Sequence, residues 1–241
     1  MKRFLCYELK DGYALIKDSE HNHLKNVLRL NVGDKIECVG LDEFVYLCEI
    51  QKIEKSQTYA LVLEKQVCLS NPKVNLTVFQ ALVKNDNMSL IVQKLSELGA
   101  TSLVPFESEF ITSKDSKNKQ GKLQEIANQS IKQCRRSIPL KVQKTLSFDE
   151  MINSLKSFDK VIFANEKETS KSLNDTLKEL KETDNVAIII GSEGGFSDKE
   201  ISAISKLTNA ISISLGSRIL RAETASIFLT GLVLYELKEY I

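Results

Sequence analysis

The stretch Asn185-Val-Ala-Ile-Ile-Ile190 runs without apolar–polar alternation and then turns at once into Gly191-Ser-Glu-Gly-Gly-Phe196. A strand with one wet face alternates apolar and polar residues, so a continuous β-branched run belongs to a strand covered on both sides. Such strands sit in the middle of parallel sheets, whose crossovers place helices on both faces. The pattern around it agrees. From Val74 onward, strand-like and helix-like segments alternate, which argues an α/β domain with a parallel sheet. Expected strands are Val74–Leu82, Ser102–Pro105, Lys160–Ala164, Asn185–Ile190 and Ala210–Ser214. Expected helices run from a cap at Asp86 to Leu98, over Lys122–Arg136, Asp149–Leu155 and Ser172–Lys181, from about Asp198, and finally to Lys238.

The first 70 residues read differently. Arg3–Leu9, Tyr13–Ile16, Lys35–Val39, Phe44–Ile53 and Tyr59–Leu63 are rich in Val, Ile, Tyr and Phe and are punctuated by Asp11-Gly12, Gly33-Asp34 and Gly40. His21–Leu30, with Leu24, Val27 and Leu28 at helical spacing, is the one helical patch. Five or six short strands in so few residues suggest a small β-barrel. Ser70-Asn-Pro-Lys73 reads as the linker, dividing 241 residues into 1–70 and 74–241.

Several function classes are disfavoured. Cys6, Cys38, Cys48, Cys68 and Cys134 are an odd set without C-x-x-C spacing, which speaks for free thiols in a reducing compartment rather than a disulfide frame or zinc knuckle. His21 and His23 are the only histidines, too few for a catalytic metal site, and no G-x-S-x-G elbow occurs. The first eight residues lack the long apolar core and cleavage site of a signal peptide, and no apolar run reaches the ~18 residues of a membrane span. A cytoplasmic protein is expected.

The net charge of +1 conceals an asymmetry: residues 112–144 carry nine basic and two acidic groups. A local charge of +7 in an otherwise mildly acidic chain is a footprint for a polyanion.

Two loops can carry chemistry. Gly191–Gly195 leaves the most apolar strand, and Leu215-Gly-Ser-Arg-Ile-Leu-Arg221 leaves the next. Ligands of open α/β sheets bind outside the carboxyl ends of strands, and glycines there let backbone N–H and C=O groups approach a ligand. Neither loop has a phosphate-cradle pattern, so nucleotide hydrolysis and hydride transfer are weak readings. A small molecule bearing adenine, held by backbone edges, suits the two loops better.

These residues also carry a resemblance. Gly191-Ser-Glu-Gly-Gly-Phe-Ser197 and Ser214-Leu-Gly-Ser-Arg-Ile-Leu-Arg-Ala-Glu-Thr-Ala225 resemble the two signature loops of SPOUT methyltransferases. More narrowly, they resemble the RsmE family of bacterial 16S ribosomal RNA (uracil-N3) methyltransferases. His23-Leu-Lys-Asn-Val-Leu-Arg29 with Gly33-Asp34, Gln93–Gly99, and Ala127-Asn-Gln-Ser130 with Arg135-Arg136 and Pro139 extend the likeness over essentially the whole chain. One departure is Ser192, where the family commonly has proline; serine restores an N–H donor.

The resemblance implies a SPOUT-type parallel sheet with a C-terminal trefoil knot, preceded by a PUA-like β-barrel that binds RNA. It further implies a homodimer, S-adenosylmethionine as methyl donor without a metal, and 16S ribosomal RNA of the small subunit as substrate. By it, Gly191, Ser192, Glu193, Gly194 and Gly195 border the donor, Leu215, Gly216, Ile219 and Leu220 close its adenine pocket, and Thr224 either contacts the ligand or caps a helix. Adenine favours such apolar walls and backbone hydrogen bonds. Arg221 is the expected stabiliser of charge on the uracil oxygens, while Glu193 or Glu223 takes the N3 proton or holds Arg221. Arg3, Arg29, Lys117, Lys119, Lys122, Lys132, Arg135 and Arg136 are the expected RNA contacts. Another SPOUT chemistry, ribose 2′-O methylation, and a non-catalytic RNA-binding assembly factor are the alternatives.

Overall fold

The structure, a computed structural model, describes residues 1–6, 8–111, 119–168 and 173–240. It divides into two compact units. One comprises Met1–Asn71 with Asn128–Pro139, the other Pro72–Ala127 with Leu140–Ile241.

In the N-terminal unit, β1 (Arg3–Leu5), β2 (Glu8–Lys10), β3 (Tyr13–Lys17), β4 (Lys35–Val39), β5 (Phe44–Ile53) and β6 (Gln57–Val67) form one sheet in the order β1-β4-β5-β6-β3-β2. Only β1 and β4 pair in parallel. Between β2 and β3, Asp11 and Gly12 both take positive φ, 52° and 81°, as an Asp-Gly hairpin turn requires. The two rims of the sheet are consecutive in the chain: β1 ends at Leu5 and β2 begins at Glu8. Three residue steps span at most about 11 Å, so the sheet must curl until its rims approach. Two register breaks in the β5–β6 ladder, at Leu47/Cys48 and Ile50/Lys52, add the coiling this needs. The inner face packs Phe4, Ala14, Ile16, Ile36, Ile50 and Ala60 around the thiols of Cys6, Cys38 and Cys48, and burial pushes the Cys6 thiol up.

Between β3 and β4 lies α1 (Asp18–Asn22), followed by a π-helical turn over His23–Val27. The helical patch expected at His21–Leu30 is therefore displaced toward the N-terminus and split by the wider turn, which seats Leu24 in the core. β6 extends well beyond Tyr59–Leu63, because Glu64–Val67 pair with Phe44–Leu47 although Glu64, Lys65 and Gln66 carry little strand preference.

The second unit contains β7 (Leu76–Ala81), α2 (Asn85–Leu98), β8 (Ser102–Phe106), α3 (Lys119–Cys134), β9 (Lys141–Val142), α4 (Phe148–Leu155), β10 (Lys160–Ala164), α5 (Leu173–Lys178), β11 (Val186–Ile190), α6 (Asp198–Ser205), β12 (Ala210–Ile213) and α7 (Ala222–Glu236). From Asn128 onward, α3 runs in the N-terminal unit. The six strands make a wholly parallel sheet in the order β12-β10-β11-β7-β8-β9. β11 is interior and all five of its residues are buried. Ile188 and Ile190 pack with Leu229 and Val233 of α7, while Ala187 and Ile189 pack with Phe79, Phe163 and Ile204 on the other face. Full burial of each isoleucine contributes about 1.5–3 kcal/mol, and both faces of this strand collect it.

Some helix ends differ from expectation. Asp86 lies inside the first turn of α2, whose N-cap is Lys84 without a side-chain bond. The basic helix stops at Cys134, well before Pro139, because Arg135 takes φ 65°. β9, too short for any strand pattern, was not expected.

Candidate functional site

The carboxyl ends of β7, β10, β11 and β12 surround a cavity of about 970 Å³. The loop after β11 forms its floor. Gln80, fully buried at the end of β7, donates from Nε2 to the carbonyls of Gly191 and Ala81, at 3.2 and 3.0 Å, and so anchors the loop at its first residue. Ser192 Oγ donates to the Phe110 carbonyl at 3.1 Å and accepts from Gly194 N at 3.3 Å. Gly195 N donates to the Ser192 carbonyl at 3.0 Å. In this chain a side-chain hydroxyl thus ties down the position where the resembling family has proline.

The glycines have separate reasons. A Cβ on Gly194 would lie 2.8 Å from Phe110 Cβ, closer than such atoms approach. Gly195 needs φ 69°, and a Cβ there would face the Glu166 carboxylate at 3.4 Å. After Phe196, Ser197 and Glu200 form a reciprocal capping box that starts α6. Glu200 Oε1 also accepts from Glu109 N at 2.9 Å, which lays the segment leading to Phe110 against the loop.

The second wall is the segment after β12. Ser214, Leu215, Gly216, Ser217, Arg218, Ile219, Leu220 and Arg221 all line the cavity. Gly216 turns at φ 104°, and its N–H donates to Ser214 Oγ at 3.3 Å. Arg221 is the N-cap of α7 and is exposed. Glu223, in the first turn, is only 8% exposed, and its Oε2 is buried with no hydrogen-bond partner among the described residues. A third wall is Asn165-Glu-Lys-Glu168, after β10, and Lys84 and Asn87 supply a fourth. Lys167 Nζ lies 2.7 Å from Asp198 Oδ1 and holds that carboxyl below the usual carboxylate range.

The expected donor residues Gly191, Ser192, Glu193, Gly195, Leu215, Gly216, Ile219 and Leu220 come together on this cavity. Gly194 and Thr224 are not on its wall: Gly194 faces Phe110, and Thr224 is exposed at the third position of α7. Thr224 is not the cap either, since Arg221 holds that position. Glu193 and Glu223 both line the cavity, with Glu193 exposed and Glu223 buried. Lys84, Asn87 and Asn165–Glu168 were not anticipated, although Asn165–Glu168 directly follow an expected strand and the carboxyl-end rule could have found them.

The expected RNA contacts divide sharply. Arg3 donates from Nε to Glu37 at 2.9 Å and from Nη1 to the carbonyls of Arg135 and Arg136. Lys132 Nζ is 2.6 Å from Glu20 Oε1, whose other oxygen accepts from Leu5 N. Arg136 is 3% exposed and donates to the Ile138 carbonyl. These three cations serve the interior of the N-terminal unit. Arg29, Lys122 and Arg135 are exposed, Lys119 is half-buried, and Lys117 lies outside the described residues.

Four carboxylates (Glu166, Glu168, Glu193, Glu223) and four cations (Lys84, Lys167, Arg218, Arg221) edge the cavity, over a lining that includes Ile190, Phe196, Ile201 and Leu215. Such mixed charge with apolar walls fits a small zwitterion carrying a planar ring better than a triphosphate. Among the described residues, no three His, Cys, Asp or Glu side chains gather into a group that could hold a metal ion.

Comparison with known proteins agrees with this architecture. The model of an RNA methyltransferase domain matches residues 70–234, and that of an RNA methyltransferase PUA domain matches residues 16–63. The chain belongs to the RNA methyltransferase family that the first of these defines. Within it, the chain is 30% identical over 233 residues to ribosomal RNA small subunit methyltransferase E of Mesomycoplasma hyopneumoniae, covering 95% of this chain and 97% of the relative. It is 28% identical over 229 residues to the protein of the same name from Bacillus subtilis, covering 92% and 89%. A Legionella pneumophila protein described as a methyltransferase and solved with the cofactor SAM bound superposes with TM-score 0.84 at 26% identity, covering 97% and 96%.

Proposed function

We propose that the protein transfers a methyl group from S-adenosylmethionine to N3 of a specific uridine in 16S ribosomal RNA of the small subunit. One observation carries this reading. In a chain of the RNA methyltransferase family, the Gly191–Gly195 and Leu215–Leu220 loops meet over one cavity that also bears Arg221 and a buried, unpartnered Glu223 oxygen.

The residues present fit the donor. Gly191, Ser192 and Gly195 line the cavity with backbone rather than bulky side chains, Leu215, Ile219 and Leu220 give apolar wall for adenine, and the edging carboxylates match the donor's positive charge. When bound, S-adenosylmethionine supplies a methyl already activated on a sulfonium. The protein's own task is then alignment and proton handling. Uracil N3–H must lose its proton, leaving charge on the flanking carbonyl oxygens. Arg221, exposed at the cavity edge, presents paired donors to those oxygens. Glu223 is the better placed proton acceptor, since its Oε2 has no competing partner, whereas Glu193 Oε1 already accepts from Lys84 N at 3.4 Å.

A homodimer belongs to this reading. Phe228 and Tyr235, seven residues apart on α7, are 44% and 59% exposed, apolar surface suited to a second copy. The expected trefoil knot belongs to this reading as well; α7, which follows edge strand β12, packs back on β11 and β7. No helix among the described residues is long and apolar enough to cross a membrane, and we place the reaction in the cytoplasm.

The test is methyl transfer from labelled donor to small subunits lacking the modification, followed by nucleoside mass spectrometry. N3-methyluridine is expected, and a 2′-O-methyl product overturns the assignment of target atom. Arg221→Ala should lower kcat about 100-fold with donor affinity retained. Unchanged turnover removes Arg221 from the chemistry.

A further inference from the structure

Only six of the 33 basic residues are arginine, and the structure accounts for four of them. Arg3 and Arg136 turn inward in the N-terminal unit, while Arg218 and Arg221 line the cavity. Arg29 and Arg135 remain. Both are exposed, and among the described residues neither guanidinium has a partner. Both also hold the left-handed backbone conformation, with φ 53° and 65°, which side-chain-bearing residues rarely adopt.

Each of these backbones is held from within. Immediately after Arg29, Leu30 N donates back to the Leu24 carbonyl at 3.1 Å and Asn31 N donates forward to Asp34 Oδ2 at 2.7 Å. Val27 and Val32, 62% and 61% exposed, flank it. At position 135 the carbonyl accepts from Arg3 Nη1 and from Cys68 Sγ. An uncommon conformation kept in place by surrounding structure directs attention to what the exposed side chain does.

We infer that Arg29 and Arg135 are base-reading, specificity-determining contacts of the N-terminal unit, each presenting its guanidinium to the N7 and O6 acceptors of a guanine in the RNA. This rests on the RNA methyltransferase reading above. Charge for phosphate contact is supplied throughout this chain by lysine, with Lys122 exposed for that use, and a guanidinium gripping phosphate is the competing use that loss of guanine N7 separates from base reading. Two parallel donors in a plane are what arginine adds, and an unpaired guanine offers two adjacent acceptors, N7 and O6, to meet them. Val27 and Val32 add apolar surface beside Arg29 for the face of a base.

The test uses the full chain and small-subunit RNA transcribed with either GTP or 7-deaza-GTP, which keeps base pairing and removes N7. Binding is measured against salt for the wild type, Arg29→Lys and Arg135→Lys. The wild type should bind the guanine transcript about 10-fold more tightly than the deaza transcript. Each lysine variant should lose most of that ratio while keeping the wild-type salt slope. Arg29→Gly and Arg135→Gly, which suit positive φ, should melt no lower than wild type yet lose the ratio too, so misfolding is not the cause. A wild type indifferent to N7, or lysine variants that keep its preference, overturns the inference. Donor binding and methyl transfer on the unmodified transcript, run in parallel, report separately on the enzymatic reading.

Discussion

A methyl group added at Gly194 would sit 2.8 Å from Phe110 Cβ and 3.3 Å from its carbonyl oxygen. Carbon atoms in contact prefer about 3.5–4.0 Å, so the loop or Phe110 must retreat by about 0.7 Å or more. Gly194 does not need positive φ, and the penalty of Gly194→Ala is therefore steric. Overpacking of this kind costs about 1–3 kcal/mol. Phe110 and the loop are tied to each other, through Ser192 Oγ on the Phe110 carbonyl and through Glu200 on Glu109 N, so the loop takes up part of the displacement. Its displacement moves the backbone edges of Ser192 and Gly195 that line the cavity. Donor affinity by calorimetric titration should fall about 5- to 100-fold, at about 1.4 kcal/mol per factor of ten. The offending atom is Phe110 Cβ itself. Phe110→Ala therefore leaves the clash in place, whereas Phe110→Gly removes it, and Gly194→Ala/Phe110→Gly should recover most of the lost affinity. Unchanged affinity in the single variant, or equal rescue by alanine and glycine at 110, refutes the reasoning.

Lys132→Met strands Glu20, whose side chain is 7% exposed, and should destabilise the protein by about 2–3 kcal/mol in urea unfolding; Lys122→Ala, exposed, should change it by under about 0.5 kcal/mol. Equal effects would mean the Glu20 pair contributes nothing. Glu150 accepts from the backbone N–H and hydroxyl of Ser147 at 2.8 and 2.7 Å, which holds its carboxyl below the usual value of 4.5. A depressed folded-state value means stability present above 4.5 and lost as pH falls through the folded value, so the difference in Tm between wild type and Glu150→Gln should shrink from pH 6 toward pH 3. A difference constant with pH would refute that linkage.

The features that were legible in the amino-acid order are those decided locally. Val186–Ile190 could only be an interior strand, Phe44–Ile53 carried an unmistakable β pattern, and Ser197 and Glu200 frame the start of α6 at Asp198. What escaped depends on distant partners. Nothing near Arg3 announces Glu37, and nothing near Lys132 announces Glu20, so both cations read as surface charge. β9 exists only because β8 offers a neighbour, and the π-helical turn at His23–Val27 answers to where Leu24 must be buried. At the cavity, the two glycine loops stood out, whereas Asn165–Glu168 and Lys84 lack any residue type that marks a ligand loop.

The N-terminal unit is discontinuous in sequence, and this sets a timetable for its folding. Residues 1–71 leave the ribosome first, but Lys132, the partner of buried Glu20, and the carbonyls of Arg135 and Arg136 that Arg3 seeks come some 60 residues later. At about 5–20 residues per second, the young sheet waits roughly 3–13 s with a carboxylate facing its interior unpaired. It can collapse in that interval but cannot finish. Completion arrives only when α3, which begins in the second unit, has been made, so the N-terminal unit becomes native only after synthesis has run well into the second.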